Sequence, residues 1–269
     1  MRRNLPGEGF NEMTRHFGCR TMEDKSLKTE ILGVQFDDVT REEAAQRGAA
    51  MLRENRFHYV VTPNPEFIMA AEHDREFAQV LNSADLVLAD GIGVIYSAKI
   101  VGTPLKERVP GIEFAADMLK ALDEMGGRLF LLGAKPGVAE EAGRRIVEQH
   151  PNIVLCGTQD GYFKDEQEVL VKVAEAKPDL LFVCLGAPKQ EKWMARWGEH
   201  TGAKLAIGLG GCLDVFAGNV ERAPESWQKC GMEWAYRLKK EPKRIGRMAK
   251  LPLVLVKAAG QRVKGNTKK

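Results

Sequence analysis

One run constrains this chain more than any other: Leu86-Val87-Leu88-Ala89-Asp90-Gly91-Ile92-Gly93-Val94. Its opening residues are wholly apolar, the pattern of a strand buried on both faces of a parallel sheet. Asp90 then falls at the carboxyl end of that strand, where open α/β sheets place their ligands. Gly91 and Gly93 permit a tight turn and a close approach of backbone to a bound group. The apolar run from Val94 to Val101 predicts a helix directly afterwards. An acid at the mouth of a sheet, beside bare backbone, is a candidate general base. The same residue would serve equally well as the cap of the next helix. This stretch alone leaves both readings open.

The remaining pattern alternates strand and helix. Strands are predicted at Ile31–Phe36, Phe57–Thr62, Arg128–Leu132, Asn152–Cys156, Leu180–Leu185 and Leu205–Leu209. Thr40 and Glu43 form a capping box ahead of a helix reaching about Arg53. Short helices follow at Phe67–Glu72 and Glu76–Asn82, and longer ones at Ile112–Met125, 138–149 and 165–177, with another containing Trp193 and Trp197. The alternation predicts an α/β fold: a Rossmann-like, mainly parallel sheet flanked by helices. Residues 1–28 are polar and aperiodic and are expected to be disordered or an extension, 29–221 form the α/β domain, and 222–269 read as a basic helical appendage.

Charge is divided unevenly between these parts. Residues 222–269 carry 14 Lys/Arg and 3 Asp/Glu, a net of +11, while residues 1–221 carry 26 and 34, a net of −8. A tail so one-sided suits an anionic partner. Arg237, Lys240, Arg244 and Arg247 would line one helical face, with a break near Pro242, and Met248, Leu251 and Leu253–Val256 follow as a short apolar stretch. Basic residues beside a stretch too short to span a bilayer read as a segment lying on an anionic membrane, ahead of an ordinary amphipathic helix packed on the body. Nucleic acid is not expected, because aromatic interleaving ends at Tyr236. The five cysteines (19, 156, 184, 212 and 230) form no CxxC pair and read as reduced thiols in a cytoplasmic protein. The polar N-terminus carries no secretory pattern.

Polar or glycine-rich turns recur at the strand ends: Thr62 and Asn64, Asp90, Gly133–Gly137, Thr158–Tyr162, Gly186–Gln190 and Gly210–Asp214. A parallel sheet would gather them on one edge, and glycine turns at helix starts offer N–H groups to phosphates. The standard nucleotide signatures are absent: there is no GxxxxGK[ST], and the GxG runs at 91–93 and 208–210 both lack the third glycine. The histidines have no HxxxH spacing and no strand end carries Asp-x-Asp, so no metal and no cofactor is expected. A lone carboxylate, Asp90, among Thr62, Asn64 and Gln190 suits activation of a hydroxyl. An ordinary nucleotide-dependent enzyme is opposed by the broken glycine fingerprints. A non-catalytic membrane-surface adaptor would leave Asp90 and the polar strand ends without a role.

Several of these runs together resemble the WecG/TagA/CpsF glycosyltransferases: Thr-Pro-Asn-Pro-Glu at 62–66, Ala-Asp-Gly-Ile-Gly at 89–93, Glu-Arg-Val-Pro-Gly at 107–111, Gly-Tyr-Phe at 161–163, Gly-Ala-Pro-Lys-Gln-Glu at 186–191 and Gly-Gly-Cys-Leu-Asp at 210–214. Arg-Ala-Pro at 222–224 and Glu-Trp-Ala-Tyr-Arg-Leu at 233–238 extend the similarity, which covers about residues 29–250. The resemblance implies a bacterial inverting enzyme, peripheral on the inner face of the cell membrane. It would move N-acetylmannosamine from its UDP-sugar to undecaprenyl-diphosphate-linked N-acetylglucosamine, the linkage step of wall teichoic acid. Other branches use N-acetylmannosaminuronic acid or serve capsule and exopolysaccharide synthesis, where UDP-glucose is a further candidate donor. By the same resemblance Asp90 is the general base, with Thr62 beside it in the catalytic set and Asn64 adjacent. Gly186, Gln190 and Tyr162 would hold the UDP-sugar, Arg108 the donor or acceptor, and Arg237, Arg244 and Arg247 the acceptor diphosphate. Homo-oligomerisation is left open.

Overall fold

A computed structural model describes residues 28–224, 226–227, 233–240 and 250–266. The expectation for residues 1–27 lies outside them. The chain begins with an antiparallel hairpin, β1 (Lys28–Ile31) and β2 (Val34–Asp37). Helix α1 (Arg41–Met51) leads to β3 (His58–Val61), α2 (Pro65–His73), α3 (Arg75–Asn82) and β4 (Leu86–Val87). Then come α4 (Ile92–Val101), α5 (Gly111–Met125), β5 (Arg128–Gly133), α6 (Val138–Gln149) and β6 (Val154–Gln159). The body ends with α7 (Glu166–Ala176), β7 (Leu180–Cys184), α8 (Lys189–Trp197), β8 (Leu205–Gly208) and α9 (Cys212–Phe216). Two helices of the basic region follow, α10 (Glu233–Lys240) and α11 (Lys250–Asn266).

The six-stranded sheet has the order β4-β3-β8-β7-β5-β6, and each neighbouring pair is parallel. Its strands alternate between two cores. Tyr59, Val61, Phe130, Leu132, Leu181 and Val183 belong to one cluster, while Val60, Leu129, Leu131, Leu180 and Phe182 belong to the other. This period of two, apolar on both sides, is what a sheet covered on both faces requires. The predicted Rossmann-like architecture is therefore the observed one. The Thr40 capping box is also present, with Thr40 Oγ1 accepting from the Glu43 amide and Glu43 from the Thr40 amide.

Two predicted strands differ. Ile31–Phe36 is not one strand but the two arms of the hairpin, because Leu32 and Gly33 both take positive φ (49° and 86°) and reverse the chain. Two such residues in succession give the twist that a tight hairpin needs. Strand β6 runs on to Gln159, three residues past its expected end at Cys156. A register shift opposite Leu129 and Phe130 bulges Cys156 out, and Gly157 then fits against the Phe130 ring, whose Cε2 would lie 2.5 Å from any Cβ there.

The basic region returns to the body. Helix α11 packs on α4 and α2, with Val254 and Ala258 fully buried. Gln261 ties it to the hairpin: its Oε1 accepts from the Leu32 amide at 2.9 Å, and its Nε2 donates to the Glu30 carbonyl at 3.1 Å. Among the described residues no helix is long and apolar enough to cross a membrane. Replacing Gln261 by Ala removes both bonds and should cost about 1–2 kcal/mol of local stability. Hydrogen exchange checks this: the Leu32 amide should exchange faster in Gln261→Ala while the β5 and β7 amides keep their protection.

Candidate active site

Three backbone ties assemble one end of the sheet edge. The Asp90 amide donates to the Pro63 carbonyl (3.1 Å), the Leu88 amide to Val61 (2.9 Å), and the Val109 amide to Ala89 (3.0 Å). The β3 end carrying Thr62 and Asn64, the Asp90 turn and the loop carrying Arg108 are thus fastened side by side. Thr62 is buried, and its Oγ1 donates to the Gly208 carbonyl of β8 at 3.3 Å. Gly111, the first residue of α5, lies so near that a Cβ would stand 3.0 Å from Thr62 Oγ1. Asn64 caps α2, its Oδ1 accepting from Glu66 (2.8 Å) and Phe67 (3.3 Å). Asp90 is partly exposed and precedes α4, whose cap residue is Gly91 (φ 96°) with no side-chain cap hydrogen bond. The cap position of α4 is thus taken by Gly91, one residue beyond Asp90.

The next strand ends, β8 and β7, carry the glycine turns. Gln190 joins them. Its Oε1 accepts from the Gly186 amide at 3.1 Å and from the Gly210 amide at 3.0 Å, and its Nε2 donates to Glu191 Oε1 at 2.6 Å. Both Gly186 (φ 78°) and Gly210 (φ 53°) are left-handed, the conformation that glycine tolerates without strain. Gln190 is almost wholly buried, so it shapes these turns from beneath. Farther along, the Gly161 amide donates to the Ala134 carbonyl at 2.9 Å, folding the loop after β6 across the end of β5. Lys189 sits 4.2 Å above the Phe163 ring and draws that loop against the start of α8. Tyr162 stands between these contacts with 68% of its surface exposed.

The sequence matches the Glycosyl transferase WecG/TagA/CpsF family over residues 29–268. The chain belongs to this family. It is 36% identical over 244 residues to a Staphylococcus aureus protein named N-acetylglucosaminyldiphosphoundecaprenol N-acetyl-beta-D-mannosaminyltransferase, covering 89% of this chain and 96% of that one. Proteins of the same name from Bacillus spizizenii (39% over 201 residues; 75% and 78% covered) and Bacillus subtilis (38% over 193 residues; 72% and 75% covered) are also similar.

In this glycosyltransferase the structure brings Thr62, Asn64, Asp90 and Arg108 to one end of the sheet edge, and Gly186, Gln190 and Tyr162 to the adjoining stretch. Arg237 falls in α10, and its side chain lies outside what is described; Arg244 and Arg247 lie outside the described residues. No group of three or more His, Cys, Asp or Glu side chains is arranged to hold a metal among the described residues. Cys156 and Cys184 are in no disulfide; Cys184 is buried, and burial raises its pKa well above the usual value.

Sequence reasoning missed two charged groups here. Arg222, where the basic region begins, donates from Nη2 to Glu113 Oε1 (3.0 Å), and Glu113 Oε2 accepts from Arg41 (3.0 Å), so the tail starts from a fixed point on α5. Glu191 is the other: a fully buried carboxyl whose helical position alone reads as surface. Gln190→Ala would leave the Gly186 and Gly210 amides without their acceptor and should lower stability by about 1–3 kcal/mol. Urea unfolding checks this, as a lower midpoint with an unaltered slope.

Proposed function

We propose that this protein transfers N-acetylmannosamine from UDP-N-acetylmannosamine to undecaprenyl-diphosphate-linked N-acetylglucosamine, with Asp90 as general base. The observation carrying the reading is the placement of Asp90: partly exposed at the carboxyl edge of a parallel sheet, backbone-tied to the Thr62 strand end and the Arg108 loop. The family membership and the names of the relatives support it. Asp90 takes the proton of the acceptor hydroxyl as that oxygen attacks the anomeric carbon. The bond from that carbon to the UDP oxygen breaks, and the carbon inverts in a single displacement. One carboxylate suffices for this chemistry. Charge on the departing UDP falls to backbone amides of the glycine turns and to arginines, Arg108 and those of the basic region. In this reading no metal or organic cofactor takes part.

The lipid-linked acceptor requires the enzyme to work at a membrane surface, and α11 offers a face for it. Leu253, Val256 and Val263 are 46%, 70% and 68% exposed and share one side of the helix, opposite buried Val254 and Ala258. Exposed Lys250 stands one turn before Leu253, while Arg262 turns to the body and donates to the Ile100 carbonyl at 3.3 Å. An apolar stripe on a strongly basic segment suits an anionic bilayer. A non-catalytic adaptor would share the α11 face but leave Asp90 and the polar strand ends without a role, so the sheet edge favours the transferase.

Two experiments test the reading. Asp90→Asn should bind UDP-N-acetylmannosamine as the wild type does, yet turn over about 10²–10⁴-fold more slowly, measured as acceptor-dependent UDP release. Turnover near the wild-type rate would refute the base assignment. Changing Leu253, Val256 and Val263 together to Ser should weaken cosedimentation with phosphatidylglycerol vesicles at least about tenfold and leave the melting temperature nearly constant. Equal sedimentation would remove α11 from the membrane contact.

A further inference from the structure

Glu191 has no exposed surface and no part in the transfer chemistry above. Its Oε1 accepts from Gln190 Nε2 at 2.6 Å, and its Oε2 is buried with no hydrogen-bond partner among the described residues. A carboxylate with one oxygen bare and no cation beside it is strongly disfavoured in such a place, and the neutral acid is the form that fits. Burial accordingly pushes the carboxyl up to about 7, against the opposing effect of the Gln190 hydrogen bond.

The consequence lies in the neighbouring amide. The Gln190 side chain has one acceptor oxygen and one donor nitrogen, and the two glycine amides need the oxygen. An acceptor on the other side of the amide permits only that orientation. Flipped, the NH₂ would face two N–H donors, and the oxygen would face a carboxyl oxygen. Glu191 Oε1 supplies the acceptor. The pair is packed beneath β8, where Gly208 leaves the room: a Cβ there would stand 3.0 Å from Gln190 Nε2 and 3.2 Å from Glu191 Oε1.

We propose that Glu191 is a positioning residue for the sugar-nucleotide donor, acting through Gln190 to hold the Gly186 and Gly210 turns in register across β7 and β8. This rests on the donor reading of those turns. It goes beyond it by assigning their geometry to a buried acid that touches no substrate.

The other titratable groups nearby are engaged elsewhere. On β3, His58 lies between Glu54 (3.0 Å) and Asp85 (3.2 Å), and the Tyr59 hydroxyl donates to the Val80 carbonyl. On β7, burial keeps the Cys184 thiol protonated. At the start of α3, Asp74 and Glu76 pair with Lys192 of α8, close to the exposed Arg75. Lys189 sits on Phe163, Arg196 pairs with Glu166, and Glu199 and His200 are exposed beyond the end of α8. The balance at Glu191 is set by burial, by Gln190 and by its own backbone. The acid form persists below neutral pH. Raising pH through about 7 places an uncompensated charge under the turns and loosens them.

Calorimetric titration with UDP tests this on the full chain, across about pH 6 to about pH 8, for the wild type, Glu191→Gln and Glu191→Leu. Wild-type affinity should fall at least about threefold over that range. Glu191→Gln should bind within about threefold of the wild type at the acid end and show no such fall, since its amide oxygen still accepts from Gln190 and it has no proton to lose. Glu191→Leu should bind about tenfold more weakly throughout, with its far-ultraviolet circular dichroism retained. If Glu191→Leu does not fold, the flat profile of Glu191→Gln decides alone. A Glu191→Gln profile as steep as the wild type, or folded Glu191→Leu binding as the wild type does, overturns the proposal. A wild-type chain that binds no UDP at either end of the range overturns the donor reading itself.

Discussion

Burial of the central sheet on both faces dictates where chemistry can take place in this molecule. From β3 to β8 the strand interiors contribute alternately to two apolar clusters, and a polar side chain placed there would forfeit its hydration. In the inner strands polar groups are therefore held to the two ends, with His58 where β3 begins and Thr62 where it has ended. The strand order adds a second restriction. The chain builds β3 and β4 on one side, crosses to β5 and β6 on the other, and fills the middle with β7 and β8. The ends of β3, β8 and β7 meet where the order reverses, which is where open α/β sheets form their crevice. Thr62, Gly210 and Gly186 each follow one of those three strands.

Within that crevice most of the positioning is done by backbone. Asp90 is fixed through its amide and through the neighbouring Ala89 carbonyl, and the glycine turns through their own amides. Side chains enter chiefly as braces. Asn64 closes the first turn of α2, Gln190 joins two turns, and Asp37 Oδ2 accepts from the Val87 amide at 2.8 Å, covering the outer edge of β4. An unpaired edge there would leave the strand before Asp90 open to mispairing.

Much of this was legible in the sequence because it depends on local chemistry. Apolar runs ending in glycine or an acid mark doubly buried strands and their turns, and Thr40 with Glu43 marks a helix start. What escaped depends on contacts between distant residues. The Leu32-Gly33 reversal carries no Asn or Asp, so an apolar run concealed it. Gly157 reads as a strand end until the Phe130 ring is set against it. Glu191 looks like any acid in the first turn of a helix, where a negative charge is favoured, and only the packing under Gly208 shows it buried. The basic region was read from its charge, which pointed outward to a surface. Its inward face rests on Val254, Ala258 and the polar Gln261, which that charge did not mark.

The meeting of Gly93 with Leu251 reaches further. A Cβ on Gly93 would lie 2.2 Å from Leu251 Cδ1 and 2.7 Å from Pro65 Cγ, so the absence of a side chain at 93 is what seats α11 against the turn that carries Asp90. Positions 158 residues apart in the chain are thereby bound into one steric bargain. Enlarging residue 93 asks the Leu251 side chain to turn aside and Pro65 to yield, so the seating of the last helix and the turn of Asp90 answer to one another.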